Sequence, residues 1–118
     1  MNFKENYKLQ DKVLSVLSGE IPDFYLTGGT ALSRFYLHHR FSEDLDFFAD
    51  NIENYAGEVL KIRRLLLKVA NVSDDKLLQY ESFSRIWIDN GTELKIEVVN
   101  DTGKRWGNPI EYDGIFID

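Results

Sequence analysis

Apolar residues recur along this chain with two periods, and the change from one to the other divides it into elements. From residue 3 to about 18, Phe3, Tyr7, Leu9, Val13, Leu14 and Leu17 stand three and four positions apart, which predicts an amphipathic helix closed by Gly19 and Pro22. Phe24-Tyr25-Leu26-Thr27 reads as a short strand running into Gly28-Gly29. From Thr30 to His39 the positions of Leu32, Phe35 and Tyr36 suit one helical face. Asp44-Leu45-Asp46-Phe47-Phe48 alternates, with Leu45 and Phe47 opposed to Asp44 and Asp46, and predicts a second strand. Positions 53 to 70 return to the helical period, with Tyr55, Val59, Ile62, Leu66 and Val69 on one stripe.

The strongest local signal is a hairpin, Phe83 to Asp89 and Thr92 to Val99 around Asn90-Gly91. Asn-Gly between alternating runs predicts a two-residue type I′ turn. That turn would pair Asp89 with Thr92, Trp87 with Leu94 and Ser84 with Glu97. Phe83, Trp87, Leu94, Ile96 and Val98 would then share one face, and Ser84, Ile86, Lys95 and Glu97 the other. The tail from Asn100 is rich in Asp, Gly and Asn until Ile115-Phe116-Ile117, a last strand. A single α+β domain follows, a sheet backed by helices on its apolar face.

With 118 residues, 43% hydrophobic and 29% charged, the chain has material for one modest core and not for two. The absence of cysteine excludes disulfides, thiolate metal sites and cysteine nucleophiles, and fits a reducing cytoplasm. With His38 and His39 the only histidines, a divalent ion would be held mainly by carboxylates, which favours Mg²⁺ or Mn²⁺. The amino terminus lacks the basic and apolar blocks of a signal peptide, and the longest aliphatic run is Leu65-Leu66-Leu67, so no membrane partner is expected. A net charge of −6 opposes sequence-independent attraction to nucleic acid unless cations or a local basic patch assist.

Three features carry candidate chemistry. Asp44 and Asp46, two apart on a strand, project from one face with α-carbons roughly 6 to 7 Å apart. Such a pair is either solvated or bridged by a cation that relieves its repulsion. Gly28-Gly29-Thr30, between strand and helix, leaves backbone N–H groups free for an anion. Thr30 would cap that helix or offer its hydroxyl to the same phosphate. Glu97 points away from Leu94, Ile96 and Val98, as a third acid beside the pair or as a cross-strand partner of Lys95 or Ser84. Three carboxylates converging from two strands are what two-metal phosphoryl or nucleotidyl transfer requires.

Phe24-Tyr25-Leu26-Thr27-Gly28-Gly29-Thr30-Ala31-Leu32 followed by Arg40-Phe41-Ser42-Glu43-Asp44-Leu45-Asp46-Phe47-Phe48 closely resembles the motif of the AbiEii/AbiGii toxin-like nucleotidyltransferases, in the DNA polymerase beta-like superfamily. The superfamily pattern is Gly-Gly/Ser followed by Asp-x-Asp/Glu. The 14 residues between Gly29 and Asp44, with Arg40, Ser42, Asp44 and Asp46 in an Arg-x-Ser-x-Asp-x-Asp run, suit the toxin-like branch. The resemblance implies a nucleotidyltransferase-like α+β core with a mixed sheet. It implies that Gly28, Gly29 and Thr30, with Arg40 and Ser42, hold an NTP, and that Asp44, Asp46 and Glu97 bind Mg²⁺ or Mn²⁺ and serve catalysis. A hydroxyl acceptor such as tRNA and an antitoxin protein are the implied partners. Family members continue into helices with a lysine motif and a further acidic motif; none follows Ile117, so residues 1–118 are expected to be a core truncated at the C-terminus. A non-catalytic nucleotide- or partner-binding module of the same fold, and a plain structural domain with solvated acids, are the alternatives. His38-His39-Arg40 would complement a helix C-terminus or, through Arg40 or His39, touch phosphate. Lys61-Ile62-Arg63-Arg64 reads as a solvated helix face, and Lys104-Arg105-Trp106 as loop packing or a stacking site.

Overall fold

A computed structural model describes residues 3–27, 44–101, 110–112 and 114–117. Helix α1 (Phe3–Leu17) leads to β1 (Phe24–Thr27). Then come β2 (Asp44–Asp50), helix α2 (Tyr55–Leu66), β3 (Asn71–Val72) and β4 (Leu78–Gln79). The long hairpin strands β5 (Phe83–Asp89) and β6 (Glu93–Asp101) are followed by β7 (Ile110–Tyr112) and β8 (Ile115–Ile117). The eight strands form one mixed sheet in the order β3-β5-β6-β2-β1-β8-β7, with β4 also paired to β5. β2 runs parallel to β6 and β1 parallel to β8, while the other pairs are antiparallel. This is the expected α+β architecture; the helix expected from Thr30 to His39 lies outside the described residues.

One face of the sheet is dry. Leu45, Phe47 and Ala49 of β2, Ile86 and Ile88 of β5, and Leu94, Ile96 and Val98 of β6 are buried, as the period-2 pattern of β2 and β6 anticipated. Helix α1 adds Leu9, Val13, Leu14 and Leu17, and α2 adds Tyr55, Val59, Ile62 and Leu66, so helices and sheet share one core. Each fully buried Leu, Ile, Val or Phe contributes roughly 1.5–3 kcal/mol of transfer free energy. The helix expected over 53 to 70 is shorter at both ends, and Val69 is only partly buried.

The hairpin departs from expectation by one residue. Asp89 pairs with Glu93, so the loop is Asn90-Gly91-Thr92 and not Asn90-Gly91 alone. Gly91 has φ +104°, and its N–H donates to Asp89 Oδ1 at 2.7 Å, a side-chain bond that holds the longer loop. Trp87 therefore pairs with Lys95, Ser84 with Val98 and Arg85 with Glu97. Because side chains alternate with period 2, the slip exchanges the faces of β5: Ser84, Ile86 and Ile88 go to the core, and Phe83, Arg85 and Trp87 to the opposite face. Burial decides the register, since Ile86 and Ile88 are 0% and 1% exposed here and the two-residue turn would turn both outward.

Ser84 is tolerated in the core because the Tyr55 hydroxyl lies 2.9 Å from Ser84 Oγ and also donates to the Val98 carbonyl. These bonds tie the start of α2 to β5 and β6. Tyr55→Phe should keep the packing but leave Ser84 without that partner, at a cost of about 1–3 kcal/mol. Urea unfolding of the two proteins measures the difference, and equal stability would show that the hydroxyl contributes nothing.

Candidate functional site

The opposite face of the sheet carries the charges. Parallel pairing of β2 with β6 sets Asp44 beside Lys95 and Asp46 beside Glu97. The flanking pairs extend these rows: Thr27 of β1 lies opposite Asp46, Arg85 opposite Glu97 and Trp87 opposite Lys95. Thr27-Asp46-Glu97-Arg85 thus crosses four strands, and Asp44-Lys95-Trp87 crosses three. Adjacent strands are only about 4.8 Å apart, so neighbours in a row interact directly. One step along the strands an apolar row follows, in which Tyr25 stacks on Phe48 at 6.2 Å between ring centroids.

The three acids expected from the sequence therefore share one face of two neighbouring strands. Two of them, Asp44 and Glu97, pair with cations. Lys95 Nζ is 3.3 Å from Asp44 Oδ2 and 3.9 Å from Glu97 Oε1. Arg85 donates through Nε to Glu97 Oε2 at 2.9 Å, and its Nη2 lies 2.9 Å from the same oxygen. Asp46 has no ion pair among the described residues. Burial raises its pKa above the ordinary 3.8, the negative charges of Glu97 and Asp44 raise it further, and Lys95 acts in the opposite sense.

Among the described residues no three Asp, Glu or His side chains come together closely enough to hold a metal ion. The donor set nevertheless suits a hard divalent cation in kind: three carboxylates, one of them without an ion pair among the described residues and disfavoured as an anion where it stands. Gly28, Gly29, Thr30, Arg40 and Ser42 lie outside the described residues, as do His38, His39, Lys104, Arg105 and Trp106. The described chain leaves β1 at Thr27, beside Asp46, and Gly28 is the next residue. Sequence reasoning missed Arg85, because the two-residue turn put β5 on the wrong face. The signal that finds it is the burial demanded by Ile86 and Ile88. No helix among the described residues is long and apolar enough to cross a membrane.

Among the described residues a mixed sheet carries two helices beneath one face and acids at the centre of the other, and comparison with solved structures finds this fold in nucleotidyltransferases. The fold is similar to that of a candidate nucleotidyltransferase from H. pylori, with TM-score 0.64, 24% identity and 96% of this chain covered. It is likewise similar to JHP933 from Helicobacter pylori, with TM-score 0.62, 24% identity and 98% covered. The Megavirus polyadenylate synthase matches with TM-score 0.59, 17% identity and 98% of this chain, covering 24% of its own. The chain spans about half the length of the two H. pylori proteins, 52% and 51%. No curated protein sequence matches it. The model of the family described as "Nucleotidyl transferase AbiEii toxin, Type IV TA system" matches residues 12–116, and the chain belongs to that family.

The raised pKa of Asp46 has a measurable consequence. A group that binds its proton more tightly when folded contributes stability that is full below its unfolded pKa and is lost as pH rises through the folded one. Without divalent metal, Asp46→Asn should therefore be more stable than the parent at pH 7, and the advantage should shrink as pH falls toward 3.8. Urea unfolding at several pH values in EDTA tests this; a variant less stable than the parent at pH 7 contradicts it.

Proposed function

We propose that this chain is the core of a metal-dependent nucleotidyltransferase that moves a nucleoside monophosphate from an NTP to a hydroxyl. The observation that carries the reading is the direct pairing of Asp46 with Glu97, with Asp44 on the same face. It is supported by the exit of β1 toward Gly28-Gly29 beside Asp46 and by the family match. Asp44, Asp46 and Glu97 hold Mg²⁺ or Mn²⁺, which when bound screens the triphosphate and lowers the pKa of the attacking hydroxyl. Gly28, Gly29 and Thr30 hold the phosphates through backbone N–H groups, with Arg40 and Ser42 assisting.

In the transfer, the acceptor oxygen forms a bond to the α-phosphorus as the bond from that phosphorus to the bridging oxygen breaks. The electron pair leaves with pyrophosphate, and the hydroxyl proton passes to Glu97. Fixed strands supply positioning and charge rather than covalent chemistry. An RNA hydroxyl such as that of tRNA is the acceptor class, and an antitoxin protein in the cytoplasm is the regulatory partner; residues 1–118 form the catalytic core as a single domain.

Labelled NTPs with Mg²⁺ and bulk tRNA should give labelled RNA, and Asp46→Asn should reduce transfer by at least about 100-fold, as expected for loss of transition-state charge stabilisation. Equal transfer by the two proteins would refute the assignment. The pairing of Arg85 and Lys95 with the acids favours one second reading, a module that binds nucleotide without turning it over. That module would be stabilised by Mg²⁺–NTP, as any ligand specific to the folded state stabilises it, yet would form no product.

A further inference from the structure

Lys95 stands on the acid-bearing side of the sheet, directly opposite Asp44 and two residues before Glu97. Its ammonium reaches both, 3.3 Å from Asp44 Oδ2 and 3.9 Å from Glu97 Oε1, and its side chain is only 25% exposed. Arg85 holds the other oxygen of Glu97. A divalent ion binds carboxylate oxygens at roughly 2.0 to 2.6 Å. An ammonium ion-paired with both carboxylates competes with such an ion for the Asp44 Oδ2 and Glu97 Oε1 oxygens. Among the described residues Lys95 and Arg85 stand against these three carboxylates, which makes the patch less attractive to a divalent ion than three uncompensated acids.

We infer that Lys95 is a built-in counter-ion of the acid cluster, which a divalent cation displaces from Asp44 and Glu97 on binding, so that the intact core binds metal weakly. The inference rests on the metal-site reading of Asp44, Asp46 and Glu97. Displacement leaves the ammonium within one side chain's reach of the same cluster, where the phosphates of an incoming nucleotide are its natural new partner. Metal and NTP then bind together more favourably than either does alone.

The test is calorimetric titration of the purified chain with Mn²⁺, without nucleotide, comparing the parent with Lys95→Met, Lys95→Gln and Lys95→Arg. Loss of the charge in Lys95→Met or Lys95→Gln should tighten Mn²⁺ binding at least about tenfold, a modest fraction of the Coulomb term for charges this close. Lys95→Arg should stay near the parent. Having two neutral variants keeps the comparison available if one fails to fold, which circular dichroism reveals. Parent binding that neither neutral variant strengthens overturns the counter-ion role and leaves the metal site standing. No Mn²⁺ binding by any of the proteins overturns the metal-site reading and this inference with it.

Discussion

The pairing of β2 with β6 is the constraint on which the rest of the molecule depends. Strand geometry permits no separate choice for the two faces of a strand, so burying Leu45 and Phe47 against Ile96 and Val98 compels Asp44 and Asp46 to rise beside Lys95 and Glu97. The apolar contacts lock the register, because a slip of one residue would bring charge into the core and expose the four side chains. The acids are thereby held next to one another by hydrophobic burial elsewhere in the same strands. Each buried residue outweighs the repulsion of half-exposed carboxylates, which solvent and the neighbouring cations soften.

That arrangement also explains why the charges sit where they do. Asp46 has Glu97 across from it, Asp44 two residues away on its own strand and no ion pair among the described residues, and burial first, then these like charges, raise its proton affinity. Glu97, by contrast, is gripped by Arg85 and approached by Lys95. The electrostatic tension is concentrated at the centre of the sheet, on the two strands with the most extensive pairing. Groups whose pKa is pushed away from the ordinary value by burial and by like charges cluster at functional sites more often than elsewhere. Here the perturbed group stands on rigid strands, which suits chemistry that works by positioning.

How much of this was legible in the sequence depended on whether a pattern was local. The alternation in β2 and β6 and the stripe through Tyr55, Val59, Ile62 and Leu66 gave their buried faces directly, since each face is decided by one element's own period. The convergence of Glu97 on Asp46 was anticipated from the facing of each strand alone; the parallel register joining them could not be read, because nothing within either segment encodes its partner. The hairpin shows the opposite failure. Asn90-Gly91 is a strong local signal, but Ile86 and Ile88 have more to lose by exposure than a two-residue turn has to gain, and the loop took in Thr92. The short strands β3, β4 and β7 carry too few residues to show any period.

The same one-residue shift governs the chemistry of the face. In the expected register β5 would have offered Ser84 to Glu97, a neutral neighbour, and Arg85 would have pointed into the core side. In the register adopted, Arg85 lies across from Glu97 and Trp87 across from Lys95, so β6 is flanked by a basic and an aromatic side chain of β5. Arg85 opposite Glu97 makes the hairpin part of the electrostatics of this face, with the core packing of Ile86 and Ile88 fixing where the guanidinium stands.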